Sequence, residues 1–232
     1  MPGPPEWIFL DAGGTLITPR PSVGGVYARA GAAHGLTADV TQLDQAFAHA
    51  WETADRDPSP ARRWGEEADC RRFWRGIVEP IFDRVSFAGD REACFAACYE
   101  AFEQRDAWTV FDDVRPALRD LTTRGIPLGV LSNWDYRLPR LLDQLGLAAA
   151  FALVQTSATE EVEKPDPRFF ALACRRAGVD PARALHVGDR RDLDVLPARA
   201  AGLTALRLAR GATAAAADEI RSLGDLVDRL PF

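Results

Sequence analysis

The sequence predicts an α/β fold with an all-helical domain inserted after the first strand. Two features of the 232-residue chain indicate this organisation. A short apolar strand near the N-terminus is followed by a long segment without strand patterns, and beyond residue 109 short apolar runs alternate with amphipathic helices. Strands separated by helices are typical of βαβ units, in which helices cover both faces of a parallel sheet.

Each element is predicted from its local pattern. The apolar run Trp7–Leu10 ends at the turn sequence Asp-Ala-Gly-Gly and predicts the first strand. The inserted segment shows helical apolar spacing over residues 23–34, 40–53, 68–85 and 91–104. The later patterns predict helices over residues 114–124, 136–145, 167–177, 197–201 and 218–230, and strands over residues 127–131, 152–156, 184–187 and 204–208. We therefore predict a Rossmann-like three-layer core with a parallel sheet, formed by residues 1–18 and 108–232, and a helical domain formed by residues 19–107.

Composition and charge exclude several classes of partner. The formal net charge of −6 provides no basic field for nucleic acid or anionic lipid, so we expect neither as a partner. No segment resembles a secretory signal or a membrane span, and we expect a cytoplasmic protein. The cysteines lack CxxC spacing and are expected to be buried apolar side chains rather than zinc ligands or disulfides: Cys70, Cys94, Cys98 and Cys174.

Polar side chains follow three of the predicted strands. In an open parallel sheet, ligands bind at the carboxyl ends of the strands. The first strand is followed by Asp11, Ala12, Gly13, Gly14 and Thr15, the strand at 127–131 by Ser132 and Asn133, and the strand at 184–187 by Gly188, Asp189 and, five residues later, Asp194. The remaining candidate is Lys164, the single lysine among 28 basic residues, which lies in the segment Glu-Lys-Pro-Asp-Pro.

These residue types are the ones that phosphoryl chemistry requires. Asp11, at a strand end beside two glycines, is the candidate nucleophile. Asp189 and Asp194 would add negative charge next to it, which predicts a bound Mg²⁺. Lys164 offers a compact positive charge for the transferring phosphoryl group. Further donors for its oxygens are expected from the hydroxyls of Thr15 and Ser132 and the backbone around Gly14 and Asn133.

In this order, the motifs FLDAGGTL, VLSN, VEKPDP and HVGDRRDLD resemble those of the haloacid dehalogenase superfamily, and the helical domain resembles the cap of its subfamily I. The resemblance covers nearly the whole chain. It implies that Asp11 attacks the phosphate of a small phosphorylated substrate to form an aspartyl-phosphate. It also implies that Mg²⁺ is bound by Asp11, the carbonyl of Gly13 and Asp189, with Asp194 supporting the site.

The chain departs from the family at Gly13, where the phosphatases usually carry a second aspartate that protonates the leaving group. General acid–base catalysis is worth about 3–5 kcal/mol of barrier lowering, so we predict a slow phosphatase that favours good leaving groups. A 2-haloacid dehalogenase is an alternative because those enzymes also lack this aspartate. By the same resemblance, however, they have serine where this chain has Asp189 and tyrosine where it has Phe170, which argues against it. A non-catalytic phosphate-binding protein is the second alternative.

Three further residues have two possible interpretations. Arg63 and Trp64, in the helical domain, are candidate substrate-binding residues, although solvated charge and helix packing are the more common uses of such residues. His186 lies within a predicted strand and is expected to be a buried structural histidine rather than a base.

Overall fold

A computed structural model describes residues 4–55, 66–160, 162–213 and 216–230. The chain forms two compact units, one of residues 1–17 and 110–232 and the other of residues 18–109. The boundaries predicted from the sequence were residues 18/19 and 107/108. The described residues contain no helix that is both long and apolar enough to cross a membrane.

The strands form two sheets. Six of them make a parallel sheet in the order β5-β4-β1-β6-β7-β8, and β2 pairs with β3 in a separate two-stranded sheet. The strands are β1 (Trp7–Leu10), β2 (Ile17–Pro19), β3 (Trp108–Val110), β4 (Leu128–Ser132), β5 (Leu153–Thr156), β6 (Ala184–Gly188), β7 (Thr204–Leu208) and β8 (Glu219–Ile220). The first strand lies between β4 and β6, so Leu10 pairs with Val130 on one side and Val187 on the other. The α/β class predicted from the sequence is confirmed.

The helices of the two units have separate cores. Residues 18–109 contain α1 (Val23–Gly31), α2 (Val40–Asp55), α3 (Glu67–Arg84) and α4 (Arg91–Ala101). Their apolar faces enclose a core that includes Leu43, Ile77, Phe82 and Phe95. The other unit contains α5 (Val114–Thr123), α6 (Leu138–Gln144), α7 (Ser157–Glu160), α8 (Pro167–Ala177), α9 (Leu196–Ala200) and α10 (Leu223–Arg229).

The C-terminal segment and a pair of short strands differ from the prediction. Residues 218–230 do not form one helix, because Glu219–Ile220 pairs with β7 and the helix begins only after Ser222, whose hydroxyl caps it by accepting from the Asp225 amide at 3.0 Å. The pair β2 and β3 was also not predicted. Strands of three residues are too short to show a period-two pattern.

Candidate active site

Three strand ends bring the predicted site residues together. Asp11 directly follows β1, and its amide donates to the carbonyl of Val187 at 2.9 Å. Ser132, the last residue of β4, donates its hydroxyl proton to Asp11 Oδ1 at 2.9 Å. Asp11 is only 6% exposed. The prediction that these residues meet at the carboxyl edge of the sheet agrees with this geometry.

Lys164 lies between two of the carboxylates. Its Nζ is 2.7 Å from Asp11 Oδ1 and 2.6 Å from Asp194 Oδ1, and the side chain is almost completely buried. The side chain of Asn133 fixes the backbone at this point, with Nδ2 donating to the Lys164 carbonyl and Oδ1 accepting from the Lys164 amide, both at 2.8 Å. Both amide atoms of Asn133 are therefore used to position Lys164.

A third carboxylate completes an acidic cluster. One oxygen each from Asp11, Asp189 and Asp194 lie within 4.8 Å of one another. With all three ionised and, among the described residues, only the ammonium of Lys164 between them, the cluster carries two uncompensated negative charges. Burying such charge is costly without a counter-ion. Oxygen ligands and a double negative charge fit a hard divalent cation such as Mg²⁺.

The electrostatics of the cluster are uneven. Burial and the neighbouring Asp11 and Asp194 raise the pKa of Asp189 to about 7. Burial also raises the pKa of Asp11, although Lys164 opposes the effect. For Asp194, burial acts upward but is outweighed by Lys164 and a hydrogen bond from His186, so its pKa lies well below the usual range. Of the three, Asp194 is therefore the most firmly ionised.

A turn of π-helix, Arg191–Val195, places Asp194 in the cluster. The Asp194 amide donates to the Arg190 carbonyl at 2.8 Å, and the Arg190 amide donates to Asp194 Oδ2 at 3.0 Å. A Cβ on Gly188 would overlap the Asp194 carboxylate, so the glycine leaves the space that this side chain occupies. Both oxygens of Asp194 accept hydrogen bonds from the protein.

The backbone amide of Gly14 is used within its own turn. We expected Gly14 to bind substrate through its backbone, but its amide donates to the Ile17 carbonyl at 2.9 Å. Its φ of 73° favours glycine, and a Cβ there would lie 2.5 Å from Asp189 Oδ2. Gly14 therefore allows the nucleophile loop to pass close to Asp189, and this amide is not available to a phosphate.

Thr15 provides a donor that lacks a partner. Its Oγ1 is buried and has no hydrogen-bond partner among the described residues. The Thr15 carbonyl accepts from Arg210 at 2.8 Å, and the Arg210 guanidinium lies over the ring of Phe111. An unpaired buried hydroxyl in the nucleophile loop is consistent with the predicted contact to a phosphoryl oxygen.

Gly13 lies next to an aromatic side chain. A Cβ at Gly13 would lie 3.5 Å from Trp134 Cζ3, an ordinary van der Waals distance, and the backbone of Gly13 is not left-handed. The backbone of Trp134 is fixed by hydrogen bonds with Ser157 and Ala158. Neither the backbone conformation nor the space around a Cβ therefore requires glycine at position 13.

Two residues near the acidic cluster have contacts that the sequence did not predict, His186 and Trp134. His186 is completely buried, as expected, but its Nε2 also lies 3.0 Å from Asp194 Oδ1. Residues 186 and 188 lie on the same face of the strand because side chains alternate. The glycine at 188 was therefore the one sequence signal that another side chain could lie beside His186. The approach of Trp134 to Gly13 had no sequence signal. The candidates Arg63 and Trp64 lie outside the described residues.

A parallel α/β sheet with an inserted helical unit, and with an aspartate, a lysine and two further aspartates converging at its strand ends, defines a class of carboxylate-dependent hydrolases. Residues 5–202 match the family model described as haloacid dehalogenase-like hydrolase. The chain belongs to this family of hydrolases, as its four motifs predicted.

The chain is similar to a hydrolase of unnamed substrate and to two phosphatases whose names state a substrate. Haloacid dehalogenase-like hydrolase domain-containing protein 3 from Bos taurus is 35% identical over 198 residues, which cover 83% of this chain and 77% of that protein. Glyceraldehyde 3-phosphate phosphatase from Methanopyrus kandleri is 40% identical over 102 residues, 44% of each chain. Phosphoglycolate phosphatase 1 from Pseudomonas aeruginosa is 29% identical over 212 residues, which cover 89% of this chain and 70% of that protein.

Solved structures share the fold. The HAD-hydrolase YfnB from Bacillus subtilis, bound to magnesium, has a TM-score of 0.77 at 14% identity, covering 97% of this chain and 98% of that chain. L-2-haloacid dehalogenase from Xanthobacter autotrophicus has a TM-score of 0.72 at 21% identity, covering 96% and 97%. At these identities the likeness is one of fold alone.

Proposed function

We propose that the protein is a Mg²⁺-dependent phosphatase that hydrolyses a small phosphorylated molecule through an aspartyl-phosphate on Asp11. The observation that carries this proposal is the acidic cluster of Asp11, Asp189 and Asp194 around a single ammonium group. With all three carboxylates ionised, their two uncompensated negative charges match a divalent cation. The names of the similar phosphatases from Methanopyrus kandleri and Pseudomonas aeruginosa support a phosphate ester as the substrate.

In the first step, Asp11 acts as the nucleophile. Its Oδ1 is held by Ser132 and Lys164, whereas no donor among the described residues contacts Oδ2, which we assign as the attacking oxygen. A bond forms between Oδ2 and phosphorus, and the bond between phosphorus and the leaving-group oxygen breaks. The Thr15 hydroxyl and the Lys164 ammonium would stabilise the negative charge on the transferring phosphoryl group.

In the second step, water attacks the phosphorus of the aspartyl-phosphate, releasing inorganic phosphate and regenerating the Asp11 carboxylate. When bound, Mg²⁺ would neutralise charge on the phosphoryl oxygens and on the carboxylates. Asp11, Asp189 and the carbonyl of Gly13 would hold it. Asp194 would support the site with its negative charge.

Slow turnover follows from Gly13. No carboxyl group stands at this position to protonate the leaving group, and about 3–5 kcal/mol of barrier lowering is lost unless the leaving group is intrinsically good. We therefore propose a preference for phosphates with acidic leaving groups. We also propose that the protein acts in the cytoplasm on a small molecule, without nucleic acid or membrane as a partner.

A 2-haloacid dehalogenase is the second candidate, and Gly13 is the observation that favours it. Against it, Asp189 adds a charge that a metal-free reaction would not need. Phe170, which stands where those enzymes have tyrosine, is completely buried in the core and packs against His186 with ring centroids 5.0 Å apart. A non-catalytic phosphate-binding protein is less consistent with a cluster of three carboxylates, which repels anions.

The test is release of p-nitrophenol from p-nitrophenyl phosphate with Mg²⁺ and with excess EDTA. Asp11→Asn removes the nucleophile, and Asp192→Asn is the matched control because that carboxylate is largely exposed and pairs with Arg190. We expect release that requires both Mg²⁺ and Asp11. If no p-nitrophenol is released and the protein instead releases halide from a 2-haloacid in an Asp11-dependent reaction, the dehalogenase proposal replaces the phosphatase proposal.

A further inference from the structure

His186 belongs to a buried chain of hydrogen bonds that ends at the nucleophile. Its Nε2 lies 3.0 Å from Asp194 Oδ1, and the same oxygen lies 2.6 Å from Lys164 Nζ. Lys164 Nζ lies 2.7 Å from Asp11 Oδ1. Each of these four residues is at most 6% exposed. The imidazole is thus linked to Asp11 through Asp194 and Lys164.

The partners of His186 determine which ring nitrogen carries the proton. Asp194 is ionised beside Lys164, and an ionised carboxylate can only accept hydrogen bonds, so Nε2 must donate. The other nitrogen, Nδ1, is buried and has no hydrogen-bond partner in the part of the chain that the structure describes. A proton on Nδ1 alone would leave a buried donor unsatisfied and direct a lone pair at the carboxylate. The neutral ring is therefore protonated on Nε2.

We propose that His186 is a positioning residue, which holds Asp194 so that the Lys164 ammonium stays between Asp194 and Asp11. With the Nε2 donor present, Asp194 Oδ1 has two donors and its orientation is determined. Without it, Lys164 is the one remaining donor to Oδ1 among the described residues, and the Arg190 amide holds only Oδ2, so Oδ1 can shift together with Lys164 and away from Asp11. Because Gly188 has no side chain, Asp194 has the space to reach His186.

A packing role is the competing explanation. The His186 ring meets the Phe170 ring edge to face, with centroids 5.0 Å apart, and any substitution here disturbs that contact. Two amide side chains separate the roles. Glutamine can place its amide nitrogen near the position of Nε2, whereas the shorter asparagine places it near Nδ1. Only the first can donate to Asp194.

Measuring which ring nitrogen of His186 is protonated tests the proposal and needs no catalytic activity. Long-range ¹H–¹⁵N correlation spectra report the protonated nitrogen of each histidine, and the chain contains three. The His186→Gln spectrum identifies the His186 signals by their loss. We expect the neutral form protonated on Nε2. A proton on Nδ1 alone would overturn the proposal whether or not the protein is a phosphatase.

The kinetic test rests on the proposed function and compares three variants with p-nitrophenyl phosphate. Residues that orient a catalytic shell typically contribute about 10- to 100-fold, so we expect His186→Asn to lower kcat by that factor with little change in KM. His186→Gln should recover most of the loss. Phe170→Leu should lower the thermal stability and leave kcat within a few-fold of the parent. Equal kcat values for the Gln and Asn variants, or an equally large loss in Phe170→Leu, would show that His186 only packs.

Discussion

The side chain of Asn133 forms two hydrogen bonds with the backbone of Lys164, each 2.8 Å long. The two residues come from separate loops, one after β4 and one before α8. Their pairing places the Lys164 ammonium within 2.7 Å of Asp11 Oδ1. The position of the only lysine in the chain therefore depends on an amide that does not itself contact Asp11.

Replacing Asn133 by alanine should misplace Lys164. The backbone amide and carbonyl of Lys164 would lose their partners, which costs about 1–3 kcal/mol when such groups are left unsatisfied. We expect this loss in urea denaturation, together with a fall in kcat. The control is Gln144→Ala, which deletes a side-chain amide at the end of α6 and leaves both hydrogen bonds between Asn133 and Lys164 in place. A fully active Asn133→Ala enzyme would contradict this role.

A side chain at Gly14 should displace the Asp189 carboxylate, which occupies that space. Gly14→Ala forces a Cβ to within 2.5 Å of Asp189 Oδ2, at a φ of 73°. Gly125→Ala is the matched control, since Gly125 has a φ of 76° and no atom within 4 Å of its added Cβ. Both variants should lose about 1–2 kcal/mol from the left-handed backbone, but only Gly14→Ala should also weaken Mg²⁺ binding, measured by calorimetry. Equal Mg²⁺ affinities would contradict the prediction.

The stability gained from Mg²⁺ should depend on pH through Asp189. Its pKa in the folded protein is about 7, above the usual 3.8, so without metal the folded state favours the protonated carboxyl. That stabilising contribution is complete below pH about 4 and is lost as the pH rises through 7. Since Mg²⁺ binds the ionised form, the rise in Tm caused by Mg²⁺ should be larger at pH about 8 than at pH about 5.5.

Asp189→Asn is the control for this pH dependence. It removes the titrating charge, so at pH about 8 the metal-free variant should be more stable than the metal-free parent. Its Tm should respond little to Mg²⁺ at either pH. A variant that responds to Mg²⁺ as strongly as the parent would exclude Asp189 from the metal site.

Gly13→Asp should restore the missing acid–base group. The nearest atom to a Cβ at this position is Trp134 Cζ3 at 3.5 Å, so the first atom of the new side chain meets no clash. We expect hydrolysis of an alkyl phosphate such as glycerol phosphate to rise by at least about 10-fold, with a smaller effect on p-nitrophenyl phosphate, whose leaving group needs no proton. Gly13→Asn has the same shape without the acid. If the two variants hydrolyse glycerol phosphate at equal rates, the missing proton donor is not what limits the parent.

The sequence predicted which residues lie at the site, but it did not predict several of the contacts that they make. Asp11, Ser132 and Asp189 could be placed together because the carboxyl ends of parallel strands share one edge of the sheet. The contact between Trp134 and Gly13 could not be predicted, because it depends on how two loops far apart in sequence pack. Gly14 was assigned to substrate binding, and the hydrogen bond from its amide to the Ile17 carbonyl could not be predicted because it depends on the folded turn.

The elements were predicted well where they are long. Helix Pro167–Ala177 and strand Thr204–Leu208 lie where their periodicity placed them. The C-terminal segment was wrong because Glu219–Ile220 is recruited to the sheet edge, and a two-residue strand carries no periodic signal. Helix propensity over residues 218–222 was overridden by pairing with β7 and by the cap at Ser222.

A phosphoryl group on Asp11 would distinguish nucleophilic catalysis from direct attack by water. The protein is mixed with p-nitrophenyl phosphate and Mg²⁺, quenched in acid during turnover, digested, and the peptide containing Asp11 is weighed by mass spectrometry. We predict an added phosphoryl group on that peptide in the parent and in Asp192→Asn, and none in Asp11→Asn or in EDTA. Turnover that proceeds without this adduct and survives in Asp11→Asn would contradict the mechanism.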